Sequence, residues 1–156
     1  MASTLQSELK KRGPFDSVEQ EATLALMRTS DLLENRIARL LREHGLTLSQ
    51  YNVLRILRGE GKPLPCQEIG ERMIQVAPAT TRVVDQLVKR EMIGKTQSVQ
   101  DRRVFHVVIN AAGKRRLRKL DQSILDLHAS LLSSFSKNDL HVLIRILESV
   151  RAGIDS

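Results

Sequence analysis

The chain is poor in aromatic residues and in cysteine. Among its 156 residues it has no tryptophan, one tyrosine and three phenylalanines, so aromatic side chains make up only 3%. Single-stranded nucleic acid is bound by stacking its bases on aromatic rings, and the composition disfavours that kind of ligand. The single cysteine, Cys66, excludes a disulfide within the chain and is consistent with a reducing compartment, so a cytoplasmic location is expected.

Long apolar runs and catalytic motifs are also missing. No run approaches the ~18 residues of a membrane-spanning helix, and residues 1–15 lack the apolar core of a secretory signal. Neither G-x-S-x-G, H-E-x-x-H nor a phosphate-binding glycine loop occurs. The four histidines do not pair at helical spacing, and none combines with Cys66 at zinc-ligand spacing. We therefore predict that the protein is not an enzyme and has no cofactor, metal site or membrane partner.

Positive charge is in excess, with 25 Lys and Arg against 18 Asp and Glu and a formal net charge of +7. Residues 1–65 carry 10 basic and 8 acidic groups, residues 66–103 carry 7 and 5, and residues 104–156 carry 8 and 5. This even distribution excludes a basic tail. Two copies at +7 each would carry +14 and would be attracted to phosphate polymers, although charge alone does not distinguish nucleic acid from an anionic membrane.

The most informative stretch, residues 78–109, has the pattern of a helix followed by two strands. At 100° per residue, Val83, Val84 and Leu87 fall on one side of this helix. The opposite side carries Pro78, Thr81, Arg82, Asp85, Gln86 and Lys89. Its Arg, Gln, Lys and Thr side chains are suited to base edges and phosphates in a DNA major groove, but a solvated surface helix has a similar face.

A basic hairpin follows this helix directly. Residues 104–109 alternate as in a strand with one packed face, and their partner strand lies in residues 94–99. The turn between them presents Asp101, Arg102 and Arg103. Two adjacent arginines do not stabilise an exposed turn, but they suit the negative potential of a minor groove. Helix and hairpin together predict a winged helix-turn-helix that binds double-stranded DNA.

Capping motifs predict the helices that precede this stretch. Residues 1–14 form a loose polar arm, and Asp16 with Glu19 opens a long helix that Gly45 ends. Thr47 and Gln50 form a capping box for the next helix, which runs to about residue 58. A loop over residues 59–65 and a short helix from 66 to about 73 then lead into the turn of the helix-turn-helix.

Two further helices are predicted after the hairpin, capped by Asn110 and Ser136. Apolar residues recur along both at alternating spacings of 3 and 4, and a short connection makes them antiparallel neighbours. Their apolar seams are more than a winged domain covers on one side, which favours an interface with a second chain. An intramolecular helical hairpin packed on the first long helix is the alternative.

The run T-R-V-V-D-Q-L at 81–87, followed by K-R at 89–90 and by D-R-R at 101–103, resembles the MarR family of bacterial transcriptional regulators. The similarity extends to G-L-T-L-S-Q-Y-N-V-L-R-I-L at 45–57 and to Gly113 after the second strand. The resemblance implies a mostly α fold with a small β-hairpin wing, comprising a winged helix-turn-helix and long N- and C-terminal dimerisation helices. The corresponding regions are 1–45, 46–110 and 111–156.

The resemblance also implies roles for single residues. Thr81 and Arg82 would lie on the recognition helix. Asp101 would brace the wing through a salt bridge, and Arg103 would enter the minor groove.

Two positions depart from the family pattern. Glu91 replaces the glycine that usually ends the recognition helix, so a positive φ there would be unfavourable. Ala77, which precedes Pro78, stands where a Ser or Thr cap is common.

A small-molecule effector is implied by the resemblance alone, in a crevice that by position would be lined by Leu33, Ile37, Tyr51 and His128. Some relatives sense oxidants through a cysteine, which makes Cys66 a candidate redox residue.

The predicted function is that of a homodimeric regulator, a repressor relieved by an effector, bound to a pseudo-palindromic duplex operator. Its predicted DNA contacts are Pro78, Thr81, Arg82, Gln86, Lys89, Arg102 and Arg103. An oxidation-sensing regulator and a winged-helix protein-interaction module are the alternatives.

Overall fold

The structure, a computed structural model, describes residues 3–75 and 79–154, which contain seven helices and three short strands. In chain order these are α1 Leu5–Glu8, α2 Val18–Glu43, α3 Leu48–Glu60, β1 Leu64–Pro65, α4 Cys66–Glu71, α5 Thr80–Lys89, β2 Ile93–Gln97, β3 Phe105–Ile109, α6 Ala111–Leu131 and α7 Lys137–Ile154. The predicted fold class, mostly α with a small β-hairpin wing, agrees with this order. Contacts divide the chain into two compact units with a boundary after Arg118, inside α6. The three regions predicted by role stay a prediction.

The first long helix, α2, begins one residue later than predicted. Ser17 is its N-cap, and Ser17 Oγ accepts a hydrogen bond from the backbone N–H of Gln20 at 3.1 Å. The backbone N–H of Asp16 donates to Gln20 Oε1 at 2.8 Å. The predicted box of Asp16 and Glu19 was therefore wrong, because a serine and a glutamine offer the same chemistry one residue further on. Gly45, in the left-handed region at φ 72°, follows the end of α2 as predicted.

Within the predicted winged helix-turn-helix region, residues 46–110, the structure departs from the prediction at the loop between α3 and α4. In α3 the predicted capping box is present, since Thr47 and Gln50 exchange side-chain to backbone hydrogen bonds of 3.1 Å in both directions. The loop expected from Gly59 starts later, because α3 continues to Glu60 and Gly61 ends it at φ 73°. That loop also contains β1, which joins the predicted hairpin in an antiparallel sheet of order β1-β3-β2.

The core of the first unit fixes the orientation of α5. Its least exposed apolar side chains, each at most 2% exposed, include Leu41, Leu46, Val53, Leu54, Leu57, Leu64, Ile69, Val84, Leu87 and Val107. Val83 is 9% exposed, so all three residues predicted for the apolar side of α5 are buried. The polar side of α5 must therefore face outward.

The end of α5 confirms the predicted strain at Glu91, which has φ 58°. The backbone N–H of Glu91 donates to the carbonyl of Val88 at 2.9 Å, and that of Met92 donates to the carbonyl of Leu87 at 3.1 Å. These two bonds form a Schellman motif, whose left-handed residue is usually glycine.

Replacing Glu91 by glycine is expected to stabilise the fold by about 0.5–1 kcal/mol. Relief of the left-handed strain, about 1–2 kcal/mol, exceeds the extra entropy that glycine gains in the unfolded chain. Thermal unfolding at one protein concentration should show a rise in Tm of about 1–4 °C. Glu91→Ala, which keeps the Cβ atom, is the matched control and should show no such rise. Equal Tm values for wild type and Glu91→Gly would contradict the assignment of strain.

The predicted caps of the last two helices are present. The side chain of Asn110 accepts from the backbone N–H of Gly113 at 3.0 Å. Ser136 and Asp139 exchange hydrogen bonds of 3.2 and 3.0 Å at the start of α7.

In α7, Lys137–Ile154, every residue is described and none is buried. Leu140 and Leu147 are half-buried, and the antiparallel arrangement of α6 and α7 stays a prediction. A short connection limits the distance between two helices but does not make their surfaces pack.

Among the residues that the structure describes, no helix has both the length and the apolar character required to cross a bilayer.

Candidate nucleic-acid interface

The outward side of α5 forms the first part of the candidate interface. A shallow concave surface is lined by Ala79, Thr81, Arg82, Asp85, Gln86 and Lys89. Thr81, Arg82 and Lys89 are exposed and Gln86 is half-buried, so the structure brings these four predicted residues together on one face.

The start of α5 differs from the prediction. The described helix begins at Thr80, and its N-cap, Ala79, makes no side-chain hydrogen bond. Ala77 and Pro78 lie outside the described residues, so the predicted contact of Pro78 stays a prediction.

The tip of the wing, the hairpin of β2 and β3, forms the second part. Asp101 Oδ1 accepts from the backbone N–H of Arg103 at 3.0 Å and from its Nε at 3.2 Å. The backbone N–H of Arg103, and after it the guanidinium, hold the pKa of Asp101 below its usual value, so this carboxylate is charged at neutral pH. The Arg103 side chain is nevertheless 91% exposed. The backbone carbonyl of Arg102 accepts from Gln97 Nε2, which leaves the exposed Arg102 side chain at the tip.

Lys95, which was not predicted as a site residue, joins the wing to α5. Its Nζ lies 3.1 Å from Asp85 Oδ1 and 4.7 Å from the centroid of the Phe105 ring. The ammonium group offsets the one negative charge on the outward side of α5, which would otherwise repel phosphates. The sequence signal that could have identified Lys95 was Asp85, a single carboxylate among hydrogen-bond donors, because such a carboxylate requires a cationic partner.

A cleft of about 290 Å³ lies between α4, α5 and the wing. Its lining residues are Pro65, Cys66, Gln67, Thr81, Lys95, Arg103, Val104 and Phe105. Thr81 of α5 and Arg103 of the wing tip thus face the same space. The Sγ atom of the half-buried Cys66 lies 3.9 Å from Thr81 Oγ1, so Cys66 belongs to this surface, and its redox role stays a hypothesis.

A second contact that the sequence did not predict lies behind the outward side of α5. Gln50 of α3 is only 7% exposed, and its Nε2 donates to Gln86 Oε1 at 3.2 Å. Arg90, just after α5, donates from Nη1 to Gln50 Oε1 at 3.0 Å. The capping motif identified Gln50 only as the partner of Thr47, because a contact across 36 positions has no local signature.

The predicted effector-pocket residues are distributed over both units. Leu33 and Ile37 lie on α2 and Tyr51 on α3, in the first unit, whereas His128 lies on the part of α6 that belongs to the second unit. Leu33 and His128 are exposed, and Ile37 and Tyr51 are half-buried. A pocket formed by these four side chains stays a prediction.

Comparison with known proteins agrees with the interpretation of this surface as a nucleic-acid interface. Residues 46–105, from the start of the helix-turn-helix into β3, match the model of the MarR family. The crystal structure of a MarR transcription factor from Planctomyces limnophilus is similar at 33% sequence identity and a TM-score of 0.67, covering 86% of this chain and 98% of that one. The similarity therefore extends well beyond the DNA-binding region.

Two other proteins define how far the similarity goes. The HTH-type transcriptional regulator MhqR of Bacillus subtilis is 29% identical over 90 residues, which are 58% of this chain and 61% of MhqR, so the match spans less than two thirds of that relative. The structure of S. aureus MepR in complex with DNA shares the fold at 15% identity, with a TM-score of 0.75 over 84% of this chain and 96% of MepR. The outward side of α5 and the wing arginines lie on one surface. Together with the family model, the match to the Planctomyces limnophilus protein shows that the chain belongs to the MarR family, which consists of DNA-binding transcriptional regulators and not of enzymes.

Proposed function

We propose that the protein is a homodimer that binds a pseudo-palindromic operator in double-stranded DNA and represses transcription there. The observation that carries the proposal is that Thr81 of α5 and Arg103 of the wing tip line one cleft. A helix with exposed hydrogen-bond donors fits a major groove, and an arginine beside it fits the adjacent minor groove.

Among the predicted contacts that lie within the described residues, all are exposed except Gln86, which is half-buried. Thr81, Arg82, Gln86 and Lys89 are the proposed contacts to base edges or phosphates of the major groove, and Arg102 and Arg103 are the proposed contacts of the wing. The proposed contact of Pro78 lies outside the described residues. Asp101 holds the Arg103 guanidinium from the protein side at 3.2 Å, which limits its rotamers before DNA arrives. The proposed role of Asp101 is therefore to present Arg103 to the minor groove.

The exposed apolar side of α7 supports the homodimer. Val142, Leu143 and Ile146 are 36%, 39% and 55% exposed, and together with Phe135 and Asp139 they line an open, mostly apolar groove. A contiguous apolar surface of this kind is unusual on a monomer. A second copy, related by two-fold symmetry, covers it with the same surface and places two recognition helices for half-sites about 34–36 Å apart.

Selection of bound duplexes from a random pool, with the full-length protein, tests the proposal. The expected result is a consensus with two-fold symmetry, together with a sedimenting species of twice the chain mass. Absence of any enriched duplex would overturn DNA binding, and a single half-site bound by a monomer would overturn the homodimer.

Arg82→Ala is expected to cost about 1–3 kcal/mol of binding free energy and to relax base preference at one position in each half-site, because a bidentate contact to guanine is lost. Arg103→Ala should weaken binding and reduce the preference for a narrow, A·T-rich minor groove. Fluorescence anisotropy on the selected operator and on its single-base variants measures both effects. Arg151→Ala, which removes the same charge from α7, should bind as the wild type does. Wild-type affinity and preference in both test variants would show that these contacts are misassigned.

The simplest mechanism of repression is occlusion of a promoter by the bound dimer. An effector would release the operator by changing the distance between the two recognition helices. The residues predicted to bind it are Leu33, Ile37 and Tyr51 in the first unit and His128 in the second. Because it acts on chromosomal DNA, we place the protein in the bacterial cytoplasm.

A further inference from the structure

The outward side of α5 is supported from behind by one buried side chain. Gln86 lines that outward surface and is half-buried. Its Oε1 accepts a hydrogen bond of 3.2 Å from Nε2 of Gln50. Gln50 is 7% exposed, so its amide cannot exchange this bond for one to bulk water without moving.

Two donors determine how the Gln50 amide is turned. The backbone N–H of Thr47 donates to Gln50 Oε1 at 3.1 Å, and Nη1 of Arg90 donates to the same oxygen at 3.0 Å. A backbone N–H and a guanidinium donate hydrogen bonds and never accept them, so the oxygen of Gln50 must face both. The opposite orientation would turn the Gln50 amide nitrogen toward both donors, and both hydrogen bonds to Gln50 would be lost.

The orientation of Gln50 determines that of Gln86 in turn. Because the Gln50 nitrogen is only a donor, Gln86 must turn its oxygen toward it. The Gln86 nitrogen then lies on the side of the amide directed away from Gln50, toward the outward surface. The hydrogen bonds run in one direction, from Thr47 and Arg90 through Gln50 to Gln86, and they leave Gln86 as a donor.

We propose that Gln50 is a positioning residue that sets base preference by making Gln86 a hydrogen-bond donor in the major groove. This inference rests on the proposed DNA binding by α5. A donor fits N7 and O6 of guanine or O4 of thymine, and it opposes the N4 amino group of cytosine. Bidentate pairing with adenine uses the oxygen and the nitrogen of one amide together, so engagement of the Gln86 oxygen by Gln50 disfavours it.

Gln50→Glu tests the inference because it reverses the direction of the hydrogen bond between residues 50 and 86. The hydrogen bonds from Thr47 and Arg90 to residue 50 are kept. Glutamate at this position preserves the capping box with Thr47, and its carboxylate still accepts from Arg90. The carboxylate is an acceptor on the side facing Gln86 as well, so Gln86 must turn its nitrogen inward and its oxygen outward. Duplex selection should then show, at one base pair per half-site, a change from guanine or thymine to cytosine or adenine, with a roughly tenfold change in preference.

Two controls identify the base pair and exclude an effect of charge. Gln86→Ala should abolish discrimination at that pair, and Gln50→Glu should add no change there in the Gln86→Ala background. Gln122→Glu introduces the same charge in the second unit and should leave the consensus unchanged. A Gln86→Ala variant that keeps the full wild-type consensus would overturn the inference.

The outcomes separate this inference from the proposed function. If the wild type enriches no duplex, DNA binding itself fails. If the wild type enriches a symmetric site, the test depends on Gln50→Glu. A folded Gln50→Glu variant that keeps the wild-type base at every position would overturn the positioning role of Gln50, even if its affinity for DNA is lower. Should Gln50→Glu not unfold cooperatively, Gln50→Met replaces it, because methionine has similar length and no hydrogen bonds. Gln50→Met releases the Gln86 amide, so discrimination against adenine should fall roughly tenfold, and an unchanged preference would overturn the inference.

Discussion

Raising the salt concentration from about 50 to about 200 mM is expected to weaken binding to the selected operator by about 10³–10⁵-fold. The candidate interface exposes four cationic side chains per protomer, Arg82, Lys89, Arg102 and Arg103, and a two-fold dimer presents twice that number. Each phosphate that they neutralise releases condensed counterions, so the logarithm of affinity falls linearly with the logarithm of salt concentration, by about 0.9 per phosphate.

Anisotropy titrations at several salt concentrations measure this slope. Lys89→Ala should reduce it by about one per protomer and weaken binding equally across sequences, because a phosphate contact carries no base information. Lys137→Ala removes an exposed lysine from α7 and is the matched control, with an unchanged slope. A nearly flat salt dependence would contradict the electrostatic interface and would favour a module whose exposed helix docks on another protein.

Replacing Gly113 by alanine is expected to destabilise the fold by about 3 kcal/mol, at the upper end for overpacking. A Cβ atom at Gly113 would lie 2.4 Å from the backbone oxygen of Met92 and 2.8 Å from Cγ1 of Ile109. The Met92 oxygen already accepts from the backbone N–H of Asn110 at 3.1 Å, so it cannot move aside without loss of that bond. The first turn of α6 and the strands of the wing can approach closely only because residue 113 lacks a side chain.

Denaturant unfolding at a fixed protein concentration tests this expectation. Gly59→Ala is the matched control, since Gly59 lies within α3 and a Cβ atom there would meet nothing within 4 Å. The control should gain about 0.5–1 kcal/mol from the higher helix propensity of alanine. A Gly113→Ala variant as stable as the wild type would show that α6 and the wing can separate at no cost.

Local patterns predicted most of the fold correctly. The spacing of Val83, Val84 and Leu87 identified the buried side of α5, because apolar residues that recur at helical spacing mark the side of a helix that packs on the core. The same reasoning placed Thr81 and Arg82 on the outward side, where the structure has them. The errors at helix starts were small, since neighbouring caps such as Asp16 and Ser17 differ little in free energy.

Predictions that depended on distant partners were less successful. Strand β1 has only two residues, one of them Pro65, so it has no period to detect, and it becomes a strand only through pairing with β3. The antiparallel pairing of α6 and α7 stays a prediction, because the length of a connection between helices does not specify which surfaces pack.

The sequence by itself determined the winged helix-turn-helix, the outward side chains of α5 and the basic turn of the wing, because period, caps and turn residues are local properties. Only the tertiary structure decided which way the Gln86 amide is turned and that Lys95 neutralises Asp85. Those contacts join side chains on different elements, and they exist only because the packing of α3, α5 and β2 brings hydrogen-bonding atoms within about 3 Å of each other.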